Sequence, residues 1–237
     1  MAWREYFAEL HGTAMLAFIV FASDGGPFSV GLGLWGIINV TGCISGAHFN
    51  PAVTLGVILN KKINKSLTSS EFIKFLIYMI IQLGGAFIGS LFAELVTDSH
   101  FGFKNRPGHT YRDVFVGETI ATGHIVMAAL MIGHLTTYSL MATLVLCFTV
   151  VAHIFTIGPI SGACFNPAVG IAVSVVKTVH FNDSSYIDHL WIYIVAPFLG
   201  VFYGIIPALI YSSDEKFKGK SVKDTQMSEN LIFKEDS

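Results

Sequence analysis

Ser45-Gly46-Ala47-His48-Phe49-Asn50-Pro51-Ala52-Val53 and Ser161-Gly162-Ala163-Cys164-Phe165-Asn166-Pro167-Ala168-Val169 differ at one position, His48 against Cys164. They lie 116 residues apart in a chain of 237, so the molecule is a duplicated half. Each copy opens an apolar piece, Pro51–Leu59 or Pro167–Val176, about half as long as the ~20 residues a spanning helix needs. Short, Gly/Pro-interrupted apolar segments at matching places in two halves of a membrane protein point to its transport site.

Around them the chain reads as membrane protein. Hydrophobic residues make up 53% and charged residues 13%, about half the charge of a soluble domain. A soluble core of this size still needs polar helix surfaces, and the long uncharged runs leave none. Full-length apolar stretches fall at Tyr6–Ser23, Phe28–Ile44, Phe72–Val96, Val114–Gly133, Ser139–Ile157 and His189–Ser212. The first carries Glu9 and begins close to Met1, so it reads as a retained span rather than a cleaved signal peptide. The segment from Asp214 to Ser237 is charged and poor in apolar residues, and is expected to be a disordered tail.

The expectation is an all-α membrane protein of six transmembrane helices plus two re-entrant half helices. One channel-type unit covers 1–213, with repeat one at about 5–96 and repeat two at about 114–212. The first span carries Glu9 and Thr13 and the fourth Glu118 and Thr122. The third span has Gln82, Gly85 and Gly89, the sixth Pro197, Gly200 and Gly204. Three spans per half is an odd number, which forces the second repeat to enter from the opposite side, an inverted 3+3 arrangement. Sorting Lys and Arg by side places ten with the termini and four (Lys104, Arg106, Arg112, Lys177) opposite. The termini are therefore expected to be cytoplasmic.

Asn before Pro is a favoured N-cap, and Pro suits the first helical turn. Asn50-Pro51-Ala52 and Asn166-Pro167-Ala168 thus read as two helix starts facing each other inside the membrane. Each start carries roughly half a positive elementary charge, which repels cations. Inward-turned Asn carboxamides would donate to a passing oxygen and break proton hopping. Exclusion of protons by half-helix dipoles in such pores is a known device. Glu9 and Glu118 are mid-span carboxylates, readable as a proton relay or as buried acceptors that hold the re-entrant loops. His48 reads as a pH-sensitive gate or as a partner of loop backbone. Cys43, Cys147 and Cys164 read as buried thiols, Cys164 alone as pore-accessible. His124, His134 and His153 show no paired spacing for a metal, and no cofactor is implied. The sequons at Asn64 and Asn182 carry no information. No basic stripe suggests nucleic acid, and no hydrolase or zinc-protease motif suggests an enzyme.

These residues resemble the major intrinsic proteins, or aquaporins, over Ala8 to Tyr211. The resemblance rests on Ala8-Glu9-x-x-Gly12-Thr13, Ser45–Gly56, Gln82-x-x-Gly85-Ala86-x-x-Gly89, Glu118 and Ser161–Val169. It implies a right-handed bundle, a pore in each subunit, a homotetramer in the bilayer, and Glu9 and Glu118 as loop supports. It also implies a four-residue filter, which maps here onto Val30, Ile154, Ala163 and Val169. A one-residue slip would put His153 in place of Ile154. Val169 stands where the family usually has Arg. The last three positions are similar to those of plant tonoplast intrinsic proteins, which have His where Val30 stands. Gly170 replaces the Asp usual in glycerol channels. The expected function is passive passage of water and small uncharged solutes (glycerol, urea, ammonia), in a plasma or internal, vacuole-type membrane. The competing reading is an inverted-repeat secondary transporter of a small neutral solute.

Overall fold

The computed structural model describes residues 2–135 and 140–213; the segment expected as a tail lies outside them. In chain order the helices are α1 (Ala2–Ala22), α2 (Pro27–Ser45), α3 (Pro51–Ile63), α4 (Ser69–Glu94), α5 (Tyr111–Leu135), α6 (Leu140–Ser161), α7 (Pro167–Phe181) and α8 (Leu190–Ser213). No strand occurs among the described residues. Six long and two short helices match the expected count. The short ones run farther than the apolar pattern suggested, to Ile63 and Phe181, because their last turns carry Lys61, Lys62 and His180. Cations at a helix C-terminus complement the backbone dipole. Five of the long helices are long and apolar enough to cross a membrane. The sixth, α1, has 21 residues, about 31 Å at 1.5 Å per residue, with Arg4, Glu5 and Glu9 in its first half.

Glycine decides how closely the long helices pair. A Cβ on Gly89 of α4 would lie 2.0 Å from the Ala14 carbonyl oxygen of α1, and one on Gly204 of α8 would lie 2.0 Å from that of Gly123 in α5. Gly85 and Gly200 repeat the pattern, meeting the Leu10 and Thr119 carbonyls at 2.4 and 2.5 Å. Small residues let helix backbones approach where lipid supplies no hydrophobic drive between helices. The α1–α4 and α5–α8 pairs are thus one motif used twice. The polar seam of α1 with α4 adds Lys74 to Glu5 at 2.8 Å.

The short helices are tied at their far ends to opposite ends of α4. Lys61 of α3 meets Glu71 at 2.8 Å, and Lys177 of α7 meets Glu94 at 2.9 Å. Glu71 also closes a capping box with Thr68 at the start of α4, which satisfies donors that the first helical turn leaves unpaired.

Replacing Gly204 with Val is expected to cost at least about 3 kcal/mol through overpacking and to abolish the monodisperse detergent-extracted peak. Gly36, whose added Cβ meets nothing within 4 Å, is the control. Gly36→Ala is expected to raise the midpoint of thermal aggregation, since Ala is favoured over Gly in a helix by roughly 0.5–1 kcal/mol.

Candidate functional site

Asn50 and Asn166 cap α3 and α7 from extended backbone. The Asn50 Oδ1 accepts from the Ala52 N–H at 2.8 Å; the Asn166 Oδ1 accepts from Ala168 and Val169 at 3.1 and 3.4 Å. Each carboxamide also donates across to the other repeat's loop. Asn50 Nδ2 reaches the Phe165 carbonyl at 2.9 Å and Asn166 Nδ2 the Phe49 carbonyl at 2.8 Å. The two helix starts therefore abut. One donor of each carboxamide is spent on the opposite loop, and Asn50 and Asn166 both line the central cavity.

The loops leading into these starts are wound into an unusual backbone. Gly46, Ala47 and Phe49 have φ of 91°, 50° and 51°; Gly162, Ala163 and Phe165 have 90°, 60° and 54°. Left-handed backbone is strained for an L-residue and genuinely rare for a bulky one. A fully buried carboxylate holds each loop in it. Glu9 accepts from the Ser45 hydroxyl at 2.7 Å, the His48 N–H at 2.9 Å and the Phe49 N–H at 2.8 Å. Glu118 accepts from the Ser161 hydroxyl at 2.5 Å, the Cys164 N–H at 3.0 Å and the Phe165 N–H at 2.8 Å. A tyrosine closes each loop from behind: Tyr78 donates to the Ser45 carbonyl at 3.1 Å and Tyr193 to that of Ser161 at 2.8 Å.

The two halves differ where their side chains do. Gln82 Nε2 donates to Glu9 at 2.8 Å and to Thr54 Oγ1 at 3.0 Å, and Thr54 Oγ1 lies 3.1 Å from His48 Nδ1. The matching positions in the second half are Pro197, Gly170 and Cys164, which build no such chain. The His48 ring thus meets a hydroxyl, not loop backbone, and the loop contact of this residue is its own N–H to Glu9. Cys164 Sγ lies 3.2 Å from the Asn166 carbonyl, and Gly170 leaves it room: a Cβ there would sit 2.8 Å from the sulfur.

A cavity of about 150 Å³ runs between the two helix starts and the surrounding spans. Its apolar walls obey the duplication. Val30, Leu34 and Ile38 of α2 face it, as do Leu146, Val150 and Ile154 of α6, 116 residues on. Leu16 and Val20 of α1 pair likewise with Ile125 and Ala129 of α5. Val30, Ile154, Ala163 and Val169 all line this one cavity. Against these walls stand Asn50, Asn166, His48 and the backbone of both loops. The carbonyls of Gly46, Ala47, His48, Ala163 and Cys164 accept no hydrogen bond among the described residues, and these residues face the cavity. Backbone carbonyls pair with protein or with water, so these are acceptors open to water in the cavity.

Ile154 lines the cavity, and His153 is not among its lining residues. His153 turns instead to His124, with Nδ1 of His124 2.9 Å from Nε2 of His153 in the groove between α5 and α6. The spacing of these histidines suggests no metal pair, and helix packing brings two of them together across 29 residues. The side chain of His134 is outside the described ones. No group of three His, Cys, Asp or Glu is placed to hold a metal ion among the described residues. Of the cysteines, Cys43 is exposed on α2 rather than buried; Cys147 and Cys164 are buried. Sequence marks Gln82 only as a span position of the repeat; its link through Thr54 to His48, the two tyrosines and most apolar wall positions come from the structure. Their signal was available: Tyr78 and Tyr193 share the 115-residue offset of Gly85 and Gly200.

The comparisons agree with this geometry. The family model described as Major intrinsic protein matches residues 1–211. The chain is 32% identical to Aquaporin-8 of Rattus norvegicus, covering 91% of this chain and 86% of that protein. It is 28% identical to Glycerol uptake facilitator protein-like 6 of Lactiplantibacillus plantarum, covering 90% and 100%. The X-ray structure of the aquaglyceroporin from Plasmodium falciparum superposes with a TM-score of 0.72 at 19% identity, over 90% of this chain and 96% of that one, a likeness of fold. With two capped half helices abutting at a carboxylate-held crossing and the family model spanning both repeats, the chain belongs to the major intrinsic protein family.

Proposed function

We propose that this protein is a passive channel for water and small uncharged solutes, with the path running along the cavity between α3 and α7. The observation that carries the reading is the pair of abutting helix starts, whose partial positive charges and remaining carboxamide donors face a narrow, otherwise apolar tube. A cation meets two like-signed dipole ends there. A neutral molecule with an accepting oxygen meets donors. The uncapped loop carbonyls supply acceptors on either side of that point. Relatives named as an aquaporin and as a glycerol uptake facilitator support the same class of permeant.

Secondary transport is not favoured. A carboxylate-coupled carrier needs a carboxylate on its path, and the intramembrane carboxylates are occupied elsewhere; the ionisable ring on the cavity, His48, is engaged by the Thr54 hydroxyl. Glu9 and Glu118 each accept several loop hydrogen bonds and neither lines the cavity. Stopped-flow swelling of proteoliposomes decides the matter. Fluxes of water, glycerol, urea and ammonia that ignore imposed proton and sodium gradients support a channel; flux driven uphill by either gradient refutes it.

In this reading Val30, Ile154, Ala163 and Val169 form a filter without a fixed cation. An apolar ring sheds the guanidinium that narrows the path in relatives with Arg, so solutes larger than water gain access. The termini sit on the cytoplasmic side, following the Lys and Arg distribution. The homotetramer rests on the family resemblance. It is supported by where polar side chains meet the outside of the bundle. His11, Asn39 and His124 are exposed on α1, α2 and α5, whereas the mid-span outer faces of α4 and α8 are apolar or aromatic. Polar groups facing lipid are costly, and a neighbouring copy on that side removes the cost. Light scattering in mild detergent is expected to give four chains per particle; a stable dimer contradicts it.

Two substitutions test the path. Asn166→Asp keeps an acceptor for the Ala168 and Val169 N–H groups but loses the donor to Phe49 and adds a negative charge. Cation conductance is expected to rise on the order of tenfold, as about 1.4 kcal/mol of repulsion is cancelled, measured as current in planar bilayers. Val169→Arg is expected to lower glycerol or urea permeability at least about tenfold while water falls less, read by stopped-flow light scattering. An unpaired Arg at this depth costs at least ~2.5–3.5 kcal/mol. Membrane yield and oligomeric state are therefore measured beside flux.

A further inference from the structure

Lys177 is the one lysine whose ammonium is shut away from solvent among the described residues. Its side chain is 0% exposed, and its partner Glu94 is 8% exposed. The counterpart pair at the other short helix, Lys61 with Glu71, is 33% and 28% exposed. A pair so open to solvent screening contributes less than a buried one. A buried pair is different: removing one partner strands a charge, and the pair itself is better suited to fixing a register than to adding stability.

What Lys177 fixes can be followed outward. It sits two turns beyond Val169 on α7, near the end of that helix. Its ammonium lies 2.9 Å from the Glu94 carboxylate of α4 as an ion pair, donates to the Ser99 carbonyl and lies 3.9 Å from the ring centre of Phe21 in α1. Ser99 lies in the loop between α4 and α5, here termed the mouth loop. Its hydroxyl bonds Asp24 in the turn between α1 and α2 and accepts from the Phe101 N–H at 2.9 Å. The loop then runs over the second left-handed segment. Phe103 is buried against Gly162, where an added Cβ would meet its ring at 3.3 Å, and the Arg106 N–H donates to Ile160 at 3.1 Å. Phe101 packs on Gly25, which lines the cavity.

Helix α7 is therefore held at two points. The crossing holds its start through Asn166, and the buried ion pair holds its end. Between these points α7 packs on α4 and α8, and its rotation about its own axis is what turns Val169 toward or away from the cavity. We propose that the Lys177–Glu94 ion pair is a latch that fixes the rotation of α7 and the seat of the mouth loop. On this view Lys177 and Glu94 are positioning residues for solute selection, off the permeation path. The proposal rests on the channel reading above for its effect on selectivity, though not for its effect on the loop.

The test uses full-length protein in proteoliposomes. Lys177→Met and Glu94→Gln singly each strand a buried partner and are expected to lower membrane yield. The double variant Lys177→Met with Glu94→Gln removes both charges and is expected to fold. Its glycerol-to-water or urea-to-water permeability ratio should change at least about threefold, the scale on which residues away from a site bias it. Amide exchange over residues 99–106 and 160–169 should quicken about tenfold as the local latch is lost. Glu94→Asp keeps both charges but withdraws the carboxylate, and is expected to shift the ratio in the same direction by less. The control pair, Lys61→Met with Glu71→Gln, should change neither ratio nor exchange in those segments. Wild-type ratios in both the double variant and Glu94→Asp overturn the assignment, even where exchange quickens. Wild-type exchange in the double variant overturns it whether or not the protein conducts, so failure of the channel reading shows separately as absent wild-type flux.

Discussion

Two buried carboxylates make the rest of this structure possible. A chain that stops being helical inside a bilayer exposes N–H groups with no water to take them, at several kcal/mol each. Glu9 and Glu118 each take two such groups from the loop of their own repeat, together with a serine hydroxyl. The bonds pin Phe49 and Phe165 in left-handed backbone, which no bulky residue adopts unforced. Once those residues are set, the following Asn-Pro has only to start a helix. The direction of that helix, and hence the facing of the two dipole ends, is inherited from the carboxylate below it. A charge that looks like a transporter's proton site by its depth is consumed here as scaffolding.

The same geometry separates two tasks that sequence proximity blurs. The loop residues give their N–H groups backward to the carboxylates and leave carbonyls such as those of Gly46 and Ala163 without a protein partner. A single turn of chain thus anchors itself on one side and presents acceptors to the cavity on the other. The asparagines join the two repeats by bonding each to the opposite loop, so neither half completes the crossing alone. Duplication followed by inversion supplies this exchange at no added complexity of sequence.

Symmetry is broken where the two ends of the path must differ. On the first side, Gln82 and Thr54 extend the Glu9 network to the ring of His48. On the second, Pro197, Gly170 and Cys164 close the space with apolar and small groups. The far ends of the half helices diverge as well, one tied by a half-buried ion pair and the other by a buried one. The buried pair reaches the loop between α4 and α5 as well.

The repeated Ser-Gly-Ala-x-Phe-Asn-Pro-Ala-Val determined a great deal alone: the duplication, the inversion, the helix starts and the family. These are local properties, since an Asn-Pro cap and a half-length apolar run follow from backbone chemistry wherever they occur. The count of spans was legible for the same reason, as bilayer thickness fixes how many apolar residues a crossing needs. Side-chain facing was not. Whether Ile154 or its neighbour His153 looks into the cavity is a 100° question about helix rotation, settled by how α6 packs on α2 and α5. The pairing of His153 with His124 is a consequence of that same packing. The resemblance implied loop support by Glu9 and Glu118, but the groups they hold needed the tertiary structure, because these are backbone N–H groups some 40 residues away. Lys177 counted, from sequence, only as one more cation on the far side. Its burial depends on α1, α4 and the mouth loop converging on the end of α7, a convergence of parts distant in the chain that no local pattern records.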